Sequence, residues 1–278
     1  MTPIEQAARA LDQTTSGIII ATGAGMGVDS GLPDFRGNDG FWRAYPPIKE
    51  RKIRFEEMAN PHWFDREPEF AWGFYGHRLN LYRATQPHRG FELLRSWAKD
   101  FSSGAFVFTS NVDGQFQKAK FRDERIHECH GSINYLQCSQ PCSDQIWNAK
   151  NLTIEIDEDS LTATSPLPRC PSCNAIARPN ILLFGDMRWN SGRAAIQHDE
   201  QDEWVAELED SPVIIECGAG THVPSVRYFS SQMIRRTRAT LIRINPREAE
   251  TPSGHISLAL SALEALEQIA QARSKAGA

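Results

Sequence analysis

Apolar residues divide the chain into short runs and helical stripes. Ile4, Ala7, Ala8 and Leu11 recur at the spacing of one helix face, and after Gly17 comes the β-branched run Ile18-Ile19-Ile20, which reads as a buried strand. Three further runs, Ala105–Phe108, Val213–Ile215 and Leu241–Ile244, are apolar throughout, as parallel strands buried on both faces are. Each leads into polar, glycine-bearing or asparagine-bearing sequence, as expected at the carboxyl ends of strands where α/β folds bind ligands. Leu260, Leu263, Leu266 and Ile269 predict a last helix over about Ala259–Ala272. Two stretches interrupt the pattern: an aromatic-rich, helical one from Phe41 to about Gln86, and one from Gln137 to about Ala177 with four cysteines between polar segments. The pattern predicts an α/β unit with a doubly wound parallel sheet. The large domain takes in about 1–40, 87–136 and 178–278, and a helical insertion (about 41–86) and a cysteine module (about 137–177) form a smaller lobe.

Composition narrows the partners. The 278 residues carry a net charge of -5, so there is no general attraction to nucleic acid or to an anionic membrane. The densest basic cluster, Arg235, Arg236 and Arg238, reads as a solvated helix face. No apolar stretch approaches the roughly 20 residues that span a bilayer, and Met1–Thr15 lacks the apolar region of a secretion signal. A cytoplasmic protein is expected. Its six cysteines then read as metal ligands or core thiols rather than disulfides.

Cys138 and Cys142 are spaced Cys-x-x-x-Cys, Cys170 and Cys173 Cys-x-x-Cys, with 27 residues between the pairs. Two such pairs supply four thiolates to one tetrahedral zinc, and a full thiolate set leaves no open coordination position, so this zinc is expected to be structural. Cys129 and Cys217 read as core thiols. After the first strand the chain enters Gly23-Ala24-Gly25-Met26-Gly27, which permits a tight turn and close approach of a phosphate. Val28 stands where the usual dinucleotide fingerprint has a third glycine, and no clear acidic residue ends the next strand, which disfavours an ordinary nicotinamide dehydrogenase.

The continuation Val28-Asp29-Ser30-Gly31-Leu32-Pro33-Asp34-Phe35-Arg36 specifies far more than a phosphate loop needs, and the whole segment resembles the cofactor loop of the sirtuins. Gly27 replaces that pattern's first serine. Thr109-Ser110-Asn111-Val112-Asp113 resembles the family's Thr-Gln-Asn-Ile-Asp, with Ser110 in place of glutamine. His130-Gly131 resembles its catalytic His-Gly, and Arg178-Pro179-Asn180-Ile181-Leu182-Leu183-Phe184-Gly185-Asp186 its Arg-Pro-x-Val-Val-x-Phe-Gly-Glu segment. Gly218-Ala219-Gly220-Thr221 and Ile244-Asn245 match in part the stretches that bind the adenosine half of NAD.

The resemblance implies a Rossmann-like large domain and NAD-dependent removal of acyl groups from protein lysine, releasing nicotinamide and O-acyl-ADP-ribose. It implies NAD as cosubstrate, held by Gly23, Ala24, Gly25, Asp34, Phe35, Arg36, Ser110, Asn111, Asp113, Gly218 and Asn245. Asp113 would grip the carboxamide, Asn111 would position water or ribose, and Phe35 would shield the reactive ribose. His130 would accept a proton from a ribose hydroxyl, as an imidazole that titrates near neutrality can. Leu183, Phe184 and Gly185 would pair with the backbone of an acyl-lysine peptide added as an extra strand. Tyr75 and Arg78 fit the Tyr-x-x-Arg of family members that accept succinyl, malonyl or glutaryl lysine. Two readings of that pair stand side by side, a carboxylate clamp or an exposed helical Arg beside a core Tyr. Two other functions also stay open: NAD glycohydrolysis or ADP-ribosyl transfer in the same pocket, and non-catalytic NAD sensing.

Overall fold

The computed structural model describes residues 1–34 and 37–276, with only the backbone for 37–39 and 276. Phe35 and Arg36 lie outside the described residues. Six strands build the main sheet: β1 (Ile18–Thr22), β2 (Ala105–Thr109), β3 (Ile126–Glu128), β9 (Val213–Cys217), β10 (Thr240–Ile244) and β11 (Ile256–Leu258). Between β3 and β9 lie β4 (Gly131–Cys138), β5 (Ile146–Asn148), β6 (Ile156–Asp157), β7 (Thr162–Ala163) and β8 (Ala177–Ile181). The helices are α1 (Pro3–Gln13), α2 (Gly37–Ala44), α3 (Pro46–Glu50), α4 (Phe55–Met58), α5 (His62–Arg66), α6 (Pro68–Ala84), α7 (Arg89–Trp97), α8 (Gln115–Lys118), α9 (Gly192–Ala206), α10 (Ser225–Thr237) and α11 (Ala262–Ala276).

The main sheet has the order β3-β2-β1-β9-β10-β11 and is parallel throughout. The chain winds outward from β1 to β3 and then restarts at β9 on the other side of β1, so strand direction of travel reverses between β1 and β9. Ligands bind at such a switch point, outside the carboxyl ends of the strands. Both faces of the sheet are covered, which is why these strands are apolar without alternation. Ile18, Ile20, Val107, Val213, Ile215 and Ile242 pack with Leu11, Phe91, Leu94, Leu266 and Ile269 of α1, α7 and α11. Ile19, Phe106, Phe108, Ile214 and Leu241 pack with Trp204, Val205, Phe229 and Met233 of α9 and α10.

Local signals start the terminal helices. Thr2 Oγ1 accepts from Glu5 N at 3.2 Å and Glu5 Oε2 from Thr2 N at 2.8 Å, a capping box ahead of α1. The last helix begins three residues later than expected and runs to Ala276, because Ser261 Oγ accepts from Glu264 N and Asp29 Oδ2 from Leu263 N at its first turn. Its buried face is Ala262, Ala265, Leu266 and Ile269, so the expected Leu260 precedes the helix and Leu263 is only half-buried.

A third core belongs to the second lobe. Phe41, Trp72, Phe74 and Tyr75 pack with Ile133, Leu136, Ile154, Leu161 and Ile181, so the helices after the cofactor loop and the strands around the cysteines share one apolar interior. There β4 pairs antiparallel with β5 and β8. The chain crosses from the large sheet to the small one between β3 and β4, and His130 is at that crossing. No helix of the described residues is long and apolar enough to cross a membrane.

Candidate active site

A cavity of about 790 Å³ opens at the switch point, between the carboxyl ends of β1, β2 and β9 and the second lobe. Its wall brings together Gly23, Ala24, Asp34, Tyr75, Arg78, Ser110, Asn111, Asp113, His130, Leu183, Phe184, Gly185 and Gly218, residues that the sequence spreads over almost two hundred positions. Gly25 and Asn245 stand behind this wall.

The loops after β1, β2 and β9 brace one another by main-chain contacts. Gly23 N donates to Cys217 O at 3.1 Å and Gly25 N to Gly218 O at 3.1 Å. At Gly218, with φ +65, a Cβ would come within 2.4 Å of the Gly25 backbone, so only glycine fits. The floor between the loops is therefore bare main chain, which suits close approach of a pyrophosphate and thus the fit of NAD. Asn111 Nδ2 donates to Gly23 O at 3.0 Å and ties the β2 loop to this floor. Asn245 is fully buried; its Nδ2 donates to Ala219 O and its Oδ1 accepts from Arg247 N and Glu248 N. Asn245 thus shapes the loops that face the cavity.

Two ionisable groups are tuned by burial. Asp113 Oδ1 accepts from Gln115 N at 2.9 Å, yet burial dominates and pushes its carboxyl up to about 6. The His130 imidazole is pushed below its ordinary value by burial, opposed by a hydrogen bond to the Ser110 main-chain carbonyl. His130 is therefore neutral at pH 7 and ready to take a proton. Its Nε2 lies 3.1 Å from Ser225 Oγ at the start of α10. Ser110 N donates to Thr22 O at 3.0 Å, and its hydroxyl turns toward the same carbonyl at 3.5 Å.

The second lobe supplies the rest of the wall from α6 and β8. Leu182 N donates to His130 O and Phe184 N to Ala59 O, both at 2.9 Å. Arg178 and Asp186, nearly fully buried, pair through two bonds of 2.6 and 3.0 Å and pin the turn that follows β8. Arg78 is 8% exposed and Tyr75 1%, and both face the cavity. This corrects the reading of Arg78 as an exposed helical arginine: Arg78 is on the buried side of α6, with Phe74, Tyr75, Leu79 and Tyr82, while Glu69, Asn80 and Ala84 are exposed. Arg78 Nε and Nη2 donate to Tyr82 Oη at 2.9 and 2.7 Å. The Tyr75 hydroxyl is buried without a hydrogen-bond partner among the described residues.

Residues 23–223 match the family model described as the Sir2 family. The chain belongs to the Sir2 family. Other members are similar along nearly its whole length: NAD-dependent protein deacylase 1 of Archaeoglobus fulgidus is 29% identical over 262 residues, 93% of this chain and 94% of the relative. The NAD-dependent protein deacylase of Pyrococcus abyssi is 29% identical over 269 residues, 96% of both chains. Among solved structures, a Sir2 homologue in complex with NAD superposes with a TM-score of 0.71 at 26% identity, covering 98% of this chain and 94% of that one.

The Sir2-family zinc module is also assembled. The four sulfurs of Cys138, Cys142, Cys170 and Cys173 lie within 4.8 Å of one another, with Sγ–Sγ distances of 3.6 Å for Cys138–Cys173 and 3.5 Å for Cys142–Cys170. Disulfides would need about 2.05 Å. A tetrahedron with Zn–S near 2.3 Å has edges of about 3.8 Å, so the four thiols fit a structural zinc. Cys217 is fully buried in the sheet core, and Cys129 is half-buried against the other face.

Sequence reasoning missed Tyr82, Arg247, Glu248 and His222, which also line the cavity. Thr221 Oγ1 donates to Glu248 Oε1 at 2.6 Å, joining the loops after β9 and β10. One signal for this pair was available. Asn245-Pro246-Arg247-Glu248 directly follows a buried strand, where an asparagine side chain organises the next turn.

Proposed function

We propose that this Sir2-family chain is an NAD-dependent protein deacylase that removes acyl groups from lysine side chains, releasing nicotinamide and O-acyl-ADP-ribose. One observation carries the reading: Asn111, Asp113 and His130 converge with the Leu183-Phe184-Gly185 edge on a single cavity at the switch point. When bound, NAD supplies a ribosyl carbon with nicotinamide as its leaving group. Asp113, in the cavity wall, holds the carboxamide, and Asn111, fixed to Gly23, orients the ribose or water. His130 accepts the proton of a ribose hydroxyl. The β8 edge receives the acyl-lysine peptide by main-chain pairing. The reducing cytosol keeps the four zinc thiolates available.

The wall formed by α6 favours acidic acyl groups. Tyr75 presents a buried hydroxyl with no hydrogen-bond partner among the described residues, and Arg78 brings a guanidinium to the same cavity. A carboxylate at the end of the acyl chain accepts from both groups, and such charge-assisted bonds are about twice as strong as neutral ones.

The test is nicotinamide release from NAD with acetylated, succinylated and unmodified peptides and with none. Release that depends on the acyl group is expected, faster with succinyl than with acetyl. Equal release without peptide would overturn deacylation and make the chain an NAD hydrolase. Arg78→Met is expected to lower kcat/KM for the succinylated peptide at least about tenfold, the loss of one charge-assisted contact, while the acetylated peptide is spared. An equal loss on both peptides would remove Arg78 from acyl selection.

A further inference from the structure

The His130 imidazole borders two cavities. The second, about 860 Å³, opens between α9 and α10, and the two share only His130 and Leu182 among their lining residues. Ser225 lines this second cavity, and its hydroxyl meets Nε2 of His130 at 3.1 Å. The Ser110 main-chain carbonyl also bonds to the ring. A carbonyl can only accept, so the nitrogen that faces it carries the proton. With Nε2 engaged by Ser225, that nitrogen is Nδ1, and Nε2 holds the lone pair of the neutral ring.

We propose that Ser225 is the positioning residue of the base: its hydroxyl donates to Nε2 while the imidazole is neutral and accepts from Nε2–H once the imidazole has taken the ribose proton. In that step the Ser225 hydroxyl first turns its proton away and leaves the Nε2 lone pair to the ribose hydroxyl; the ribose O–H bond then breaks, the Nε2–H bond forms, and the negative charge stays on the ribose oxygen. Ser225 keeps its own proton and turns its hydroxyl through one rotation, which a serine rotor allows at little cost. The second contact is charge-assisted and the first is not, so Ser225 favours the imidazolium and strengthens a base that burial weakens. The inference rests on the deacylase reading for the identity of the proton donor, while the hydrogen bond itself does not depend on it.

Other charges act on the same ring. Asp113 and Arg78 lie on the NAD side, and His127, His198, Asp202, Arg235 and Arg236 line the second cavity. Assignment of the titration to His130 itself is therefore part of the test. Imidazole nitrogens of the full chain are followed by ¹H–¹⁵N NMR against pH, with His130→Gln to identify the signal. The wild type is expected to show the Nδ1–H tautomer. Ser225→Ala should lower the His130 pKa by about half a unit or more and mix the tautomers, and Ser225→Thr should restore both. In steady state, Ser225→Ala should lower kcat about threefold to tenfold, leave both KM values within about twofold, and again be rescued by threonine.

An unmoved His130 titration in Ser225→Ala overturns the proposal, as does equal impairment of the alanine and threonine variants, which would mark a packing role. Absence of acyl-dependent nicotinamide release in the wild type overturns the deacylase reading instead, and the NMR titration still decides the role of Ser225.

Discussion

A buried carboxylate is held at a cost to the fold, and Asp113 shows its size. Burial raises its carboxyl from 3.8 to about 6. A raised folded value means that the native protein binds more protons than the unfolded chain between about pH 4 and pH 6, so stability is lost as pH rises through this window. With the partial opening to the cavity allowed for, the cost at neutral pH is roughly 2 kcal/mol. Asp113→Asn keeps the acceptor for Gln115 N and removes the charge. The variant should melt several degrees above the wild type at pH 7.5 and no higher at pH 3.5, while nicotinamide release falls at least tenfold. A melting temperature that does not rise at pH 7.5 would show that the carboxylate is adequately solvated. Asp113, Asn111 and His130 were legible in the sequence because each sits within a few residues of a buried strand and its chemistry is local. Ser225 was not, because it meets His130 only where α10 approaches from far along the chain; Arg247 and Glu248 follow β10 directly, and their local signal was passed over.

The strands that were legible are those buried on both faces, where apolar content alone marks them. β3 escaped because Ile126-His127-Glu128 is short and two-thirds polar; α9 supplies partners to it, Gln201 to His127 Nδ1 and Gln197 to the Glu128 amide. β11 is equally short, at the sheet edge. Glycine weakens a helix interior, and packing gives the glycines of α6 another meaning. A Cβ at Gly73 would lie 2.0 Å from the Leu161 carbonyl oxygen and 2.9 Å from Thr162 Cα, so α6 rides directly on the backbone of β7. In an exposed helix Gly→Ala stabilises by about 1 kcal/mol. Here Gly73→Ala should destabilise by about 1–3 kcal/mol, since the obstacle is main chain and cannot rotate away. Chemical denaturation of this one variant measures the sign. A stabilised protein would show that α6 and β7 can separate without loss, and that Tyr75 and Arg78 are held by α6 alone.

At the scale of the molecule the two lobes divide the work, and the division can be tested by removing zinc. The main-chain floor at Gly23, Gly25 and Gly218 stands on a sheet whose cores lie between its own helices. The segment Leu183-Phe184-Gly185, the proposed peptide edge, instead continues β8, which pairs with β4, and the thiols of Cys138, Cys142, Cys170 and Cys173 join the ends of these two strands. No cysteine of the four lines the cavity. Loss of the metal should therefore reach catalysis only through the position of β8 and of the crossing at His130. Structural zinc contributes on the order of 10 kcal/mol to small modules, enough to order this one. After chelation, NAD affinity measured by calorimetry should stay within about threefold, because its floor does not depend on the second lobe. The KM of the acyl peptide should rise at least about tenfold as the receiving edge loosens, each tenfold being worth about 1.4 kcal/mol. Zinc added back should restore it. Equal loss of NAD and peptide binding would mean that the lobes fold as one unit, and the shared stake would then be the main-chain bond from Leu182 to His130, where the small sheet meets the proposed base.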